Sequence, residues 1–390
     1  MPQRATFYLL LETSRAFTRE IFRGVTRWSN LYGPATLVVA AGHVEQQLPR
    51  LRSTQNAGII ARLPTPGVID AIQKFGVPVV TIEPSLPEYE KIKRELGVSE
   101  IVSDSETVGR LGGEHFAQRS FRRFAFCGLP RRIWSFKRQA AFVRYAEKIG
   151  ETFVYDYPAD EKVLLTRQTE RPYLTDWLKK LPKPVGIMAC NDDRAAELLE
   201  ICQFEGIDVP DRVAVLGVDN DDLFCELTTP PLSSVTFDLN QAGFQAAALL
   251  WNLISGTASG YHRIDLVPTG ITRRRSTEVV AEDDRLVQRA VRFIRDNYQR
   301  SIDVAAIARA LDVSRRTLER RFSEVLGHSV RDQIEQFRFE QAQNLLLRTD
   351  DTIDEIAQIA GFAHLKPMVR VFRNQTGQSP AEFRKNHRTQ

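Results

Sequence analysis

Two segments near the C-terminal end of the sequence carry cationic side chains at helical spacing. In each one an apolar stripe alternates with an outward stripe that is rich in arginine. An arginine guanidinium can make paired hydrogen bonds to a guanine edge, and a glutamate carboxylate can accept a hydrogen bond from cytosine. The pattern therefore predicts two helices that contact double-stranded DNA in the major groove. The candidate DNA-contacting residues are Arg315, Arg316, Glu319, Arg320, Lys366, Val369, Arg370 and Arg373.

The two cationic stripes belong to a repeated helix-turn-helix pattern. Residues 303–327 and 352–377 each contain a short helix with apolar spacing, a tight connection and a second helix that ends at a glycine. The apolar pair Leu318 and Phe322 of the first copy has counterparts at matching offsets in the second. A single basic helix is more often a solvated surface, whereas two copies at matching offsets favour DNA binding.

Helix-start signals support this arrangement. Ser314 can cap the helix that follows it, and Pro367 suits a first helical turn, where its missing N–H costs no hydrogen bond. Residues 285–298 predict a preceding helix with Asp284 as its cap, and residues 330–347 predict a longer helix between the two units.

The charge distribution separates this region from the rest of the chain. Residues 285–390 contain 19 Lys and Arg against 13 Asp and Glu, whereas the remaining residues contain 34 against 36. Phosphate binding requires such a basic excess. The short acidic stretch 278–284 is predicted to be the linker between a domain 1–277 and a DNA-binding domain 285–390.

Upstream of the linker, strand-like apolar runs alternate with amphipathic helical stretches. This alternation predicts parallel sheets covered by helices, in two lobes that divide near residue 104. The predicted strands are 6–11, 35–40, 58–61, 77–82, 123–128, 152–157, 185–190 and 213–218, and the predicted helices include 18–30, 107–119, 138–149 and 194–205.

Polar loops follow several of the predicted strands. Residues 12–19, 129–138, 191–195 and 219–222 contain Arg, Asp, Asn and aromatic side chains. Ligands of doubly wound sheets bind beyond the carboxyl ends of the strands. Hydrogen-bonding groups beside an aromatic ring suit a polyhydroxylated ligand. Taken singly, each aspartate is more often a turn or helix cap, each arginine a surface cation and each aromatic ring a packing residue.

The composition excludes several classes of protein. The chain has 390 residues, 43% of them hydrophobic and 26% charged, which is ordinary for a globular protein of two or three domains. We expect no signal peptide, no membrane span and a cytoplasmic location, because the apolar runs are only as long as strands. The four cysteines have no metal-ligand spacing and are expected to be core thiols. No cofactor, metal site or catalytic group is predicted.

The C-terminal region resembles the AraC family of transcription regulators. The resemblance rests on ALDVSRRTLERRF, on IAQIAGFAHLKPMVRVFRNQTGQSPAEFR and on the spacing between them, with Phe383 at the usual tyrosine position. It implies two helix-turn-helix units joined rigidly by the long helix, which enter successive major grooves. It implies base contacts by Arg316, Glu319, Arg320, Lys366, Val369 and Arg370. The sequence departs from the family at Lys366 and Pro367, where a small polar residue and a non-proline residue are usual.

The preceding region resembles the sugar-sensing domains of LacI-type repressors and periplasmic sugar-binding proteins. The segments that carry the resemblance are ACNDDRAAELL, VAVLGVDNDDLFCELTTPPLSSVTFD, AGFQAAALLWNLISG and TRRRST. The resemblance implies an α/β two-lobe, type I periplasmic-binding-protein-like domain with three crossovers and a sugar in the cleft, followed by the all-α domain with two helix-turn-helix units. By motif position it implies ligand contacts from Asp192, Asp219 and Arg138, with Phe17, Thr18, Arg19, Trp134 and Phe237 as further candidates.

A sensor placed before an AraC-type DNA-binding domain resembles the sugar-responsive activators of bacterial catabolic genes. The resemblance implies a monosaccharide effector, with D-xylose favoured, a homodimer and contact with RNA polymerase. Response to another monosaccharide and action as a repressor stay open. Two other classes are a sugar carrier and a sugar-modifying enzyme with a regulatory tail, in which Asp192 and Asp219 would form an acid–base pair. The paired helix-turn-helix units argue against the first, and the lack of a nucleophile–base pair and a phosphate-binding glycine loop argues against the second.

Overall fold

A computed structural model of the chain describes residues 5–33, 35–39, 56–62, 65–82, 97–158, 165–278, 284–300 and 302–387. The chain divides into two compact units, residues 1–118 with 122–277 and residues 119–121 with 278–390. Most of the predicted linker, residues 279–283, lies outside the described residues. Among the described helices none is long and apolar enough to cross a membrane.

The first unit contains two sheets, which form two lobes. The sheet of the first lobe has the strand order β11-β5-β4-β3-β1-β2 and is parallel throughout, and that of the second has the order β12-β10-β9-β8-β6-β7 with β12 antiparallel. The strands are β1 (Thr6–Leu10), β2 (Thr36–Val39), β3 (Ala57–Ala61), β4 (Val79–Ile82), β5 (Ser99–Ser103), β6 (Arg123–Cys127), β7 (Glu151–Val154), β8 (Val185–Ala189), β9 (Val213–Val218), β10 (Ser233–Phe237), β11 (Arg263–Leu266) and β12 (Pro268–Thr272).

The helices of the first unit pack against these sheets. They are α1 (Ala16–Tyr32), α2 (Pro66–Phe75), α3 (Ser105–Ala117), α4 (Ile133–Ala146), α5 (Arg167–Lys180), α6 (Asp192–Phe204), α7 (Asp222–Leu227) and α8 (Leu239–Ile254). In the described part of the chain, three connections join the lobes: β5 to α3, β10 to α8 and β11 to β12. The two-lobe fold class predicted from the sequence is confirmed.

Strands that are buried on both faces are the ones that sequence patterns detect. β3, β8 and β9 are buried along their whole length and form continuous apolar runs. The sequence interpretation lacked β5, β10, β11 and β12. The strand Ser233–Phe237 begins with two buried serines, and the strand Arg263–Leu266 contains two charged residues, so neither has an apolar run.

Helices α1, α3, α4 and α6 each begin two to five residues earlier than the sequence predicts. Helix α1 begins at Ala16, so Phe17, Thr18 and Arg19 lie in its first turn and not in a loop. Helix α4 begins at Ile133, which places Trp134 in its first turn. Both starts lack a capping side chain, because Arg15 and Arg132 occupy the N-cap positions without a capping bond, and the usual start signal is therefore missing.

The second unit is entirely helical in its described residues. Its helices are α9 (Arg285–Asn297), α10 (Val304–Ala310), α11 (Arg315–Leu326), α12 (Val330–Arg348), α13 (Ile353–Ile359), α14 (Leu365–Thr376) and α15 (Pro380–His387). Asp284 caps α9 and Ser314 caps α11, as predicted. The helix-turn-helix pairs are α10 with α11 and α13 with α14.

The long helix α12 takes part in two separate hydrophobic cores. Its first half supplies Val330 and Ile334 to the core of the first helix-turn-helix unit. Its second half supplies Phe339 and Leu346 to the core of the second unit. Since one continuous helix is packed into both cores, the two units are held at a fixed spacing and orientation.

Helices α1 and α8 pack unusually closely because each has a glycine at the contact. A Cβ at Gly24 would lie 1.9 Å from the backbone oxygen of Asn240, and one at Gly243 would lie 2.1 Å from the backbone oxygen of Ile21. No side chain at either position fits without separating the two helices.

Replacing Gly24 with alanine should lower the free energy of unfolding by about 1–3 kcal/mol, because overpacking forces the two helices apart. Gly67 is the matched control, since it lies in helix α2 with no atom within 4 Å of a built Cβ. Gly67→Ala should be neutral or stabilise by about 0.5–1 kcal/mol through its better helix propensity. Urea unfolding of both variants measures the difference, and equal stabilities would contradict the close packing.

Candidate effector cleft and DNA-contacting surface

The polar loops meet at the carboxyl ends of strands β1, β6, β8 and β9, between the two lobes. Contacts cross from lobe to lobe at this edge. The Arg15 guanidinium of the first lobe forms an ion pair with Asp193 of the second, and the backbone N–H of Ala16 donates to Asp221 Oδ2 at 3.0 Å. Open α/β sheets bind their ligands in this kind of crevice.

Arg138 occupies the centre of this cleft. The residue is 2% exposed, its Nη1 donates to the backbone oxygen of Cys190 at 2.6 Å, and its Nη2 donates to Ser103 Oγ of the other lobe at 3.2 Å. Asp219 Oδ1 lies 3.8 Å from Nη2, and the Trp134 ring centroid lies 5.0 Å from Cζ. Among the described residues, the buried Nε has no hydrogen-bond partner. The structure thus brings Arg138, Asp219 and Trp134 together.

Asp192 is buried beneath the cleft and not at its surface. Its carboxylate accepts from Ser234 Oγ at 2.6 Å, from the Asp221 N–H at 2.9 Å and from the Cys225 thiol at 3.5 Å. A Cβ at Gly217 would lie 2.2 Å from Oδ1, so a glycine is required there. Both carboxylate oxygens are used inside the lobe, where they fix the start of the loop that carries Asp219.

The other residues predicted to line the cleft are either buried or bonded to their own loop. Arg19 Nη1 donates to the backbone oxygens of Thr13 and Ser14, at 3.2 and 2.6 Å, and so stabilises its own loop. Thr18, Phe17 and Phe237 are buried, and the Arg62 guanidinium lies 5.2 Å from the Phe17 ring centroid.

Sequence reasoning missed several cleft residues. Arg15, Asp193, Asp221 and Ser103 form the contacts between the lobes, yet none of them was singled out. The first three lie in segments that the sequence predicts to be polar loops, although the structure places Asp193 in the first turn of α6. Ser103 lies at the end of the undetected strand β5 and gives no signal of its own.

Burial raises the pKa of Asp192 to about 8, and the nearby Asp219 charge adds to the effect. A carboxyl group whose pKa is higher in the folded state favours folding most at low pH. Its contribution is lost as the pH rises from its unfolded value of about 4 through 8.

The free energy of unfolding of wild type should therefore fall relative to that of Asp192→Asn between pH 5 and pH 8. The slope of the difference should approach roughly 1.4 kcal/mol per pH unit, the limit for one proton. Denaturant titrations of both proteins at each pH test this, and parallel curves would contradict a protonated Asp192.

The cationic stripes lie on α11 and α14, the second helices of the two helix-turn-helix units. The buried stripe of each helix includes Leu318 and Phe322 or Met368 and Phe372, all 0% exposed. Of the eight predicted DNA-contacting residues, Glu319 and Val369 are half-buried and the other six are exposed: Arg315, Arg316, Arg320, Lys366, Arg370 and Arg373.

Carboxylates pre-orient three of these arginines. Arg320 Nη1 donates to both oxygens of Glu324 at 2.9 and 3.0 Å, and Arg315 Nε donates to Glu319 at 3.0 Å. Arg370 Nη2 lies 3.3 Å from Glu335 of the connecting helix α12. In the first turn of α14, where Lys366 and Pro367 depart from the usual family pattern, the N-cap is His364, which makes no side-chain capping bond. The arginines present bidentate donors on an exposed face, which suits base edges and phosphates.

Each of the two units contains a segment that matches a known domain family. Residues 114–277 match the periplasmic binding protein-like domain family, and residues 307–386 match a helix-turn-helix domain family. The xylose operon regulatory protein of Escherichia coli strain K12 is 29% identical over 98% of this chain and 97% of its own length. The chain thus combines a periplasmic-binding-protein-like domain with a C-terminal helix-turn-helix domain.

Further comparisons show the same similarity over nearly the whole chain. The xylose operon regulatory protein of Haemophilus influenzae is 29% identical over 97% of each chain. A solved structure of the xylose-binding transcription activator xylR matches 100% of both chains with a TM-score of 0.71 and 28% identity. A complex of the transcriptional regulator CelR with cellobiose matches 71% of this chain with a TM-score of 0.54 and 20% identity, which reflects the fold alone.

Replacing Arg320 with alanine should weaken specific DNA binding by about 1–3 kcal/mol, because one bidentate donor is lost. Arg144→Ala is the matched control, since Arg144 pairs with Glu106 on the surface of the first unit. Fluorescence anisotropy on DNA selected from a random pool by the wild-type protein measures both. An equal loss in both variants would remove Arg320 from the interface.

Proposed function

We propose that this chain is a transcription activator of sugar catabolic genes that is switched by D-xylose. The observation that carries the proposal is similarity over 98% of this chain and 97% of the relative's own length to a xylose operon regulatory protein. The chemistry of the cleft supports a sugar effector. Arg138, Asp219 and Trp134 offer a donor, an acceptor and an apolar ring beside one another.

Arg138 and Asp219 bind sugar hydroxyls, with Trp134, Phe17 and Phe237 against the C–H faces of the sugar. Asp192, Thr18 and Arg19 support the loops around it. The exposed residues of α11 and α14 contact operator DNA, and the domains are 1–277 and 285–390, joined by 278–284.

Sugar binding acts by favouring one arrangement of the two lobes. Arg138, Ser103 and the Arg15–Asp193 pair join the lobes across the cleft, so a sugar bound among them changes the relative free energies of the open and closed forms. A coupling of about 1–3 kcal/mol between sugar and DNA binding is enough for a useful switch. We propose that the protein acts as a homodimer in the cytoplasm, where it contacts RNA polymerase.

Isothermal titration of the full chain with D-xylose, L-arabinose, D-ribose and D-glucose tests the proposal. D-xylose should bind most tightly, and Asp219→Ala should abolish that binding while leaving DNA affinity unchanged. Tighter binding of another sugar would reassign the effector, and turnover of a sugar would favour an enzyme. An undiminished D-xylose titration of Asp219→Ala would remove Asp219 from the site.

The direction of regulation needs a separate measurement. A reporter gene placed behind the selected DNA should be expressed more strongly when D-xylose is added. Lower expression in the absence of the protein is the result expected for an activator, and higher expression is the result expected for a repressor.

A further inference from the structure

Two consecutive residues in the cleft adopt a backbone conformation that side chains disfavour. Asp219 has φ of 107° and Asn220 has φ of 51°, although neither is glycine. Residues in such conformations persist only where the surrounding structure over-determines them, and they cluster at binding sites. The residues that stabilise this loop conformation therefore help to shape the site.

Backbone contacts hold one side of the loop. The N–H of Asp219 donates to the backbone oxygen of Val235 at 3.1 Å, and the N–H of Asn220 donates to Ser234 Oγ at 3.0 Å. The N–H of the next residue donates to Asp192 Oδ2 at 2.9 Å. These bonds fix the main chain but leave the Asn220 side chain to be held by something else.

Arg274 holds the other side of the loop. It follows strand β12 and is 4% exposed. Its Nη1 donates to Asn220 Oδ1 and to the backbone oxygen of Leu232, each at 2.8 Å, its Nε donates to Glu226 at 2.8 Å, and its Nη2 pairs with Asp222. The planar guanidinium therefore joins Asn220 and Asp222 of the loop to Leu232, which leads into β10.

The Arg274 backbone is itself anchored. Its N–H donates to Ser233 Oγ at 2.7 Å, and the same hydroxyl donates to its carbonyl oxygen at 2.8 Å. Arg274 is thus held at its backbone as well as at its guanidinium, so that its side chain clamps the strained loop rigidly.

We infer that Arg274 is a positioning residue for the effector: it holds Asp219 beside Arg138 by clamping the Asn220 side chain, and it does not touch the effector. The inference rests on the proposed function for the role of Asp219. The carboxylate of Asp219 is 24% exposed and 3.8 Å from Arg138, where a sugar hydroxyl would meet both groups. Release of the loop would move this carboxylate away from Arg138.

A variant without the clamp should still fold. The partner carboxylates Asp222 and Glu226 are 65% and 45% exposed, so both stay hydrated when Arg274 is replaced. Arg274→Met keeps the volume of the aliphatic stem and removes all the donors. Arg171→Met is the matched control, because Arg171 pairs with Glu200 on the surface of the same lobe, away from the cleft.

The first test is calorimetric titration of the full chain with the tightest-binding sugar of the panel. Arg274→Met should bind at least tenfold more weakly than wild type, and Arg171→Met should equal wild type. In an Asp219→Asn background Arg274→Met should cause no additional loss, because its effect passes through Asp219. Adding Asn220→Gly to Arg274→Met should restore part of the affinity, because glycine adopts this backbone conformation without strain. Unchanged affinity of Arg274→Met, or a full additional loss in the Asp219→Asn background, would overturn the inference.

The second test does not depend on the effector. Hydrogen exchange of the Asn220 and Asp221 amides should be at least tenfold faster in Arg274→Met than in Arg171→Met. Equal exchange in the two variants would overturn the inference even if sugar binding were lost. A wild-type protein that binds no sugar of the panel would contradict the proposed function, whereas the exchange experiment would still decide whether Arg274 clamps the loop.

Discussion

The buried guanidinium of Arg138 is the interaction on which the cleft depends. It is bonded to Cys190 in its own lobe and to Ser103 in the other, with Asp219 close by. Burying a cation is unfavourable unless hydrogen bonds and counter-charges compensate for the lost hydration. The loops that surround Arg138 are therefore constrained to supply carbonyl, hydroxyl and carboxylate oxygens.

That constraint explains the arrangement beneath the surface. Asp192 is buried and holds the loop that follows strand β9. The backbone conformation of Asp219 and Asn220 in this loop turns the Asp219 carboxylate towards Arg138. A second buried ionic cluster lies behind the loop that follows strand β6. There Arg194 pairs with Glu170 and Glu197 and also donates to the backbone oxygen of Gly128. Each cleft loop thus has a polar support inside its own lobe.

Much of this organisation is predictable from the sequence, and the failures have physical causes. Apolar runs reveal strands that are buried on both faces, and helical periodicity reveals both helix-turn-helix units. The serine at the start of α11 reveals the Ser314 cap of the first unit. Short or polar strands such as β5 and β11 give no such signal, because their stability comes from pairing with neighbours. The uncapped starts of α1 and α4 are missed for a related reason. The role of Asp192 was not accessible either, since a carboxylate after a strand looks the same whether it faces a ligand or its own lobe.

The proposed function requires coupling between a sugar in the cleft and DNA on helices α11 and α14. Linkage requires it to be reciprocal: if the sugar changes DNA affinity by some factor, DNA changes sugar affinity by the same factor. The most direct measurement is the D-xylose affinity of the full chain with and without saturating DNA selected by the protein. We expect a change of roughly 5- to 150-fold, equal to the change in DNA affinity caused by D-xylose. Identical D-xylose affinities with and without DNA would contradict it.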